Sequence, residues 1–212
     1  MIGGIDEAGR GPVIGPMVIA IVVGESDDMI KIGVRDSKRL SPGAREAVYE
    51  KILRVAACVN YVVIEPAEID AYVSRGMLNA LELKYTAQLI NLCPAEYYYV
   101  DSPDVNPKRY ESGLVFATGK RVIALHKGEA VPQVAAASIV AKVVRDRLIQ
   151  LLKKEVGDFG SGYPSDPRTL QRLREGRMPS ECIRWQWKTV GGRIGLGRNR
   201  HESGENPGDP RG

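Results

Sequence analysis

Cysteine is scarce in this 212-residue sequence: Cys58, Cys93 and Cys182 are the only three, and none share a C-x-x-C spacing. That excludes a disulfide-stapled scaffold and gives no zinc site, so the expectation is three reduced, buried thiols. No run of about 18 apolar residues occurs, which excludes a transmembrane helix. The opening residues Met1 to Glu7 lack the basic and long apolar stretches of a secretion signal, and the expected compartment is the cytoplasm. Hydrophobic residues make up 43% and charged residues 26%. These proportions exclude a disordered chain and fit a soluble protein of one or two domains.

The net charge of +4 is unevenly spread. Residues 1–141 carry 15 Lys and Arg against 17 Asp and Glu, whereas residues 142–189 carry 11 against 6. An acidic region followed by a basic one suits a polyanion held by one part and processed by carboxylates in the other. An ordinary solvated surface gives the same asymmetry.

Strands and helices alternate along the chain. Residues 1–8 read as a strand ending in the turn Gly9-Arg10-Gly11-Pro12. Val13 to Val23 reads as one buried central strand, Cys58 to Ile64 as another, and Tyr97–Val100 and Arg121–Leu125 as two more. Ser41 and Pro42 open a helix that runs to about Val55. Further helices are expected over Leu78–Leu92, Pro132–Val156 and Pro167–Glu175. The glycine-rich tail 190–212 reads as disordered. The pattern predicts an α/β core with a C-terminal helical extension.

Acids break the apolar pattern where chemistry is expected. Asp6 and Glu7 lie inside an apolar strand, where neighbours point to opposite faces. Asp101 ends a second strand, the place where ligands gather in open α/β sheets. Carboxylates brought together repel unless a cation sits between them, and an oxygen-only donor set favours Mg²⁺ or Mn²⁺. Two such ions form a clamp for phosphodiester hydrolysis. A capping role for Asp6-Glu7 and an Asx-turn at Asp101 remain the plain alternatives.

Gly9, Arg10 and Gly11 could present backbone N–H groups and a guanidinium to a phosphate, or form a simple turn. Ser138, Lys142 and Arg145 share one stripe of the Pro132 helix. Tyr163, in a Gly-Ser-Gly-Tyr-Pro loop, is placed either to stack on a sugar or base or to anchor the loop on the core. His126 is a candidate proton shuttle beside the acids.

In order along the chain, these segments resemble ribonuclease HII over residues 1–189. The carriers are Gly4 to Pro12 (GIDEAGRGP), Asp36 to Ser41 (DSKRLS), Asp101 to Asp104 (DSPD), Ala135 to Lys142 (AAASIVAK), and the loop Gly157 to Tyr163 with Ser165 to Thr169. The resemblance implies an RNase H-like mixed five-stranded sheet flanked by helices. It divides the chain into a catalytic core 1–156 and a substrate-binding helical extension 157–189. It also implies endonucleolytic cleavage of RNA paired to DNA, or of single ribonucleotides in duplex DNA, leaving 5′-phosphate and 3′-hydroxyl ends. Two divalent ions, Mg²⁺ or Mn²⁺, would be held by Asp6, Glu7, Asp101 and Glu129. Gly9, Arg10 and Gly11 would read the 2′-OH, Tyr163 would pack on the next sugar, and Ser37, Lys38, Ser138, Lys142 and Arg145 would contact substrate. One departure stands out: the fourth acid is Glu129, three residues before Pro132, where the family usually has an Asp four residues before its proline. A shorter loop offset by a longer side chain is one account; loss of the fourth ligand is the other. The resemblance further implies a monomer. No aromatic residue follows Val190, so the clamp-binding motif of some archaeal members is not expected.

Overall fold

A computed structural model describes residues 1–34 and 40–193 of the chain. Five strands form one mixed sheet in the order β3-β2-β1-β4-β5: β1 (Ile2–Ala8), β2 (Met17–Gly24), β3 (Cys58–Ile64), β4 (Tyr98–Asp101) and β5 (Val122–Leu125). β1 pairs antiparallel with β2 and parallel with β4, so the acidic strand is central.

Helices cover both faces. On one face lie α1 (Ser26–Lys31), α2 (Pro42–Val55) and α6 (Pro132–Val156), packed on Val18, Ala20 and Val22 of β2. On the other lie α3 (Pro66–Val73), α4 (Leu78–Leu92) and α5 (Pro107–Thr118), against Ile19, Ile21 and Val23. β2 is thus buried on both sides, which explains its unbroken apolar sequence. The Ser41 hydroxyl accepts from Ala44 N–H and starts α2 as its sequence predicts. Asn106 caps α5 in the same way, followed by Pro107, a signal that the sequence reading passed over.

Four expectations need correction. The Val13–Val23 run is not one strand: Gly15, at φ +83°, and Pro16 break it, and β2 starts at Met17. Val13 and Ile14 instead join Phe159, Leu173 and Ile183 in a small separate core beneath α7 (Pro167–Arg174). The tail's first residues are ordered, since α8 spans Lys188–Arg193 and Val190 is buried; the rest of 190–212 lies outside the described residues. Cys58 and Cys93 are not free thiols but a disulfide, because packing of α4 on the sheet brings their Cα atoms to 5.8 Å across 35 residues of chain. Cys182 is free and only half-buried. No helix among the described residues is long and apolar enough to cross a membrane.

Candidate active site

The parallel register of β1 and β4 does most of the assembly. Ile5 pairs with Val100, so the next step along both strands sets Asp6 level with Asp101, the last residue of β4. From β5 the chain turns back toward them. Gly128 N–H donates to Asp101 Oδ1 at 3.1 Å, and Glu129 follows on a single 3₁₀ turn, Gly128–Ala130. A Cβ on Gly128 would lie 3.0 Å from Val134 Cγ1 and in ordinary contact with Asp101, so the turn packs closely between α6 and the end of β4.

Asp6 and Glu7 leave β1 on opposite faces. Asp6 faces α6, where the Ser138 hydroxyl and the Lys142 ammonium favour its ionised form. Burial outweighs them, with the Asp101 charge adding to it, and Asp6 is pushed up to about 6. Glu7 faces α4. Burial, then the charges of Asp6, Glu82 and Asp101, hold its carboxyl well above the usual range, opposed by Arg10. Glu82 on α4 is 2% exposed, and burial raises it to about 7 in spite of Arg10.

The glycine turn lies beside these acids. Gly9 has φ +83°, and a Cβ there would collide with Arg145, so both conformation and space require glycine. Arg10 is already engaged: its Nε donates to Glu82 Oε1 and its Nη2 to Asn79 Oδ1, both at 2.8 Å. Tyr163 is 40% exposed, and its ring edge faces Gly11. Glu7, Gly9, Arg10, Gly11, Lys142 and Tyr163 line one cleft of about 530 Å³.

Other predicted contacts fall elsewhere. Arg145 borders the cleft but its guanidinium turns inward, with Nε donating to Pro16 O at 3.1 Å. Ser138 is buried and accepts from Lys142 Nζ at 2.9 Å. His126 is exposed, its ring near Val105 O at 3.4 Å. Ser37 and Lys38 lie outside the described residues.

Sequence reasoning missed four residues that shape the site: Asn79, Glu82, Arg184 and Trp187. Glu82 had a signal, since it sits between Leu81 and Leu83 in an apolar helix. Arg184 had none, because it reaches the turn only through the tertiary fold.

The donor set of Asp6, Glu7, Asp101 and Glu129 is all oxygen, the chemistry of a hard divalent cation. Among the described residues no three acidic, His or Cys side chains already stand at metal-ligating spacing. The fit therefore rests on donor type and on the raised carboxyls of Asp6 and Glu7, which a cation would relieve.

Known proteins show what the chain is similar to. The family profile described as Ribonuclease HII matches residues 3–190. Ribonuclease HII of Pyrobaculum neutrophilum is 71% identical over 190 residues, covering 90% of this chain and 96% of that protein. Among solved structures, ribonuclease HII in the PCNA complex from Archaeoglobus fulgidus superposes with a TM-score of 0.84 at 48% identity, covering 90% of this chain and 95% of that one. Ribonuclease H2 from Pyrococcus horikoshii gives 0.84 at 40% identity, covering 92% and 97%.

Proposed function

This chain belongs to the ribonuclease HII family, and on that premise we propose that it cuts the RNA strand of RNA–DNA hybrids, down to one ribonucleotide embedded in duplex DNA. The products are a 5′-phosphate and a 3′-hydroxyl. The observation that carries the proposal is the level placement of Asp6 and Asp101 on adjacent parallel strands, beside a cleft lined by Glu7, the glycine turn and Tyr163.

Asp6, Glu7, Asp101 and Glu129 would hold two divalent ions, Mg²⁺ or Mn²⁺, which when bound activate a water and stabilise the leaving 3′-oxygen. The rest is positioning by the chain's own groups. Lys142 lies beside Asp6 and favours its ionised form. Arg10, held by Glu82 and Asn79, keeps the turn at the mouth of the cleft. Tyr163 offers its exposed ring to the sugar that follows the ribonucleotide. The Gly128–Asp101 bond ties the Glu129 turn to the same strand end, which supports Glu129 as the fourth acid in spite of the shortened loop. The solved structure of the Archaeoglobus relative is a complex with PCNA, which leaves a clamp partner open for this chain.

The test is a duplex with a single embedded ribonucleotide, incubated with each metal and with wild type, Asp101→Asn, Glu129→Gln and Glu129→Asp. Asp101→Asn should lose on the order of 10³-fold or more in kcat with a smaller change in KM. Glu129→Gln should lose activity under both metals. Full activity of Glu129→Gln removes Glu129 from the ligand set. A duplex bound but uncut by wild type under both metals would make the protein a binding module.

A further inference from the structure

We propose that Arg184 is the positioning residue of the glycine turn: it draws the turn's carbonyls inward and so turns the Arg10 and Gly11 N–H groups out toward the ribonucleotide. The inference rests on the function proposed above and adds to it the element that sets recognition of the ribose and its phosphate.

Arg184 is fully buried, and every nitrogen of its guanidinium donates to a backbone carbonyl. Nη2 reaches Gly9 O at 2.7 Å, Nη1 reaches Arg10 O at 3.1 Å, and Nε reaches Gly15 O at 2.9 Å. No peptide bond among the described residues is cis. In a planar trans peptide the C=O and the following N–H point in opposite directions. Anchoring Gly9 O therefore fixes Arg10 N–H, and anchoring Arg10 O fixes Gly11 N–H, both directed away from the guanidinium. The next carbonyl, Gly11 O, accepts from Trp187 Nε1 at 3.3 Å, and the Trp187 ring lies 5.3 Å from the Arg184 guanidinium. Asp70 fixes the segment from behind by accepting from Trp185 N–H at 2.6 Å and Gln186 N–H at 3.1 Å.

Stability alone is a poor account of this arrangement. A buried cation bonded to neutral carbonyls is costly, and an apolar residue of similar volume would fill the space with less penalty. Arg145 adds a second buried guanidinium on Ile14 O and Pro16 O. Two cations beneath outward-turned N–H groups make a concavity suited to an anion, and the planar fork of arginine sets several carbonyls at once where lysine could not.

The experiment measures kcat and KM for a duplex with one embedded ribonucleotide, and the Ki of the matching all-DNA duplex as competitor. Arg184→Gln should raise KM about tenfold or more and raise Ki by less, since the all-DNA duplex shares the phosphate and lacks only the 2′-hydroxyl, so the ratio of KM to Ki rises. A purely structural role would instead lower kcat, through loss of folded enzyme, with KM and Ki unchanged. Trp187→Phe keeps an aromatic ring beside the guanidinium but loses the N–H to Gly11 O together with part of the indole; in protein shown by circular dichroism to be folded at the assay temperature it should raise the ratio of KM to Ki about threefold. An unchanged ratio of KM to Ki in folded Arg184→Gln overturns the inference. If Arg184→Gln does not fold, an unchanged ratio in Trp187→Phe overturns it. A wild-type protein that neither cuts nor prefers the ribonucleotide duplex would refute the proposed function itself, a separate result.

Discussion

Glu82 keeps one carboxylate oxygen, Oε2, buried without a hydrogen-bond partner while its other oxygen holds Arg10. Its pKa stands at about 7 against an ordinary 4.5 because burial exceeds the pull of the Arg10 cation. The folded chain thus binds this proton more tightly than the unfolded chain does. Stability from Glu82 is fully present below about pH 4.5 and is lost as pH rises through about 7. The shift corresponds to roughly 3 kcal/mol. Asp6, raised to about 6, acts in the same direction. Melting followed in chelator should therefore show the temperature falling between pH 5 and pH 7.5, with a shallower fall for Glu82→Gln; parallel slopes would count against this account. Single residues also show where sequence reading stops. Asp6 stands out as an acid inside an apolar strand and Asp101 as one at a strand end, whereas nothing beside Arg184 in the sequence announces a partner 175 residues away.

At the scale of elements, the site depends on how closely α6 lies on β1. Ala135, Ala136 and Ala137 are fully buried, and their small side chains let the helix approach the sheet. Gly4 completes the fit, since a Cβ there would run into the backbone of Gln133 and Val134. Backbone cannot step aside as a flexible side chain can, so Gly4→Ala should push α6 from the sheet and carry Ser138 and Lys142 away from Asp6. A loss of about 3 kcal/mol is expected, lowering the melting temperature by about 6–12 °C. Activity should fall further than the folded fraction, as circular dichroism and kcat measured together would show. Nothing local in the sequence joins the alanine run of α6 to Gly4 of β1; only their packing does.

For the molecule as a whole, the Cys58–Cys93 disulfide joins the edge strand β3 to the C-terminal end of α4. Closing 35 residues of chain constrains the unfolded state by about 4 kcal/mol in the loop-entropy description. Glu82 and Asn79 hold Arg10 from the other half of α4, two or more turns away. Reduction, or Cys58→Ala with Cys93→Ala, should therefore lower the melting temperature by several degrees while leaving kcat at 25 °C nearly unchanged. A matching loss of kcat would mean that the bridge also positions Arg10. The sequence by itself determined the alternation of strands and helices, the Ser41 cap with Pro42 opening its helix, and the acids that interrupt apolar strands or end them, because periodicity and capping are local and each costs or gains energy within a few residues. Only the tertiary structure decided the break at Gly15, the bridge between Cys58 and Cys93, the inward turn of Arg145 and the hold of Arg184 on the glycine turn. Each of those joins groups far apart in the chain, and what selects them is the burial of charge and the pairing of backbone groups in a space that exists only once the sheet, α6 and the C-terminal segment have packed together.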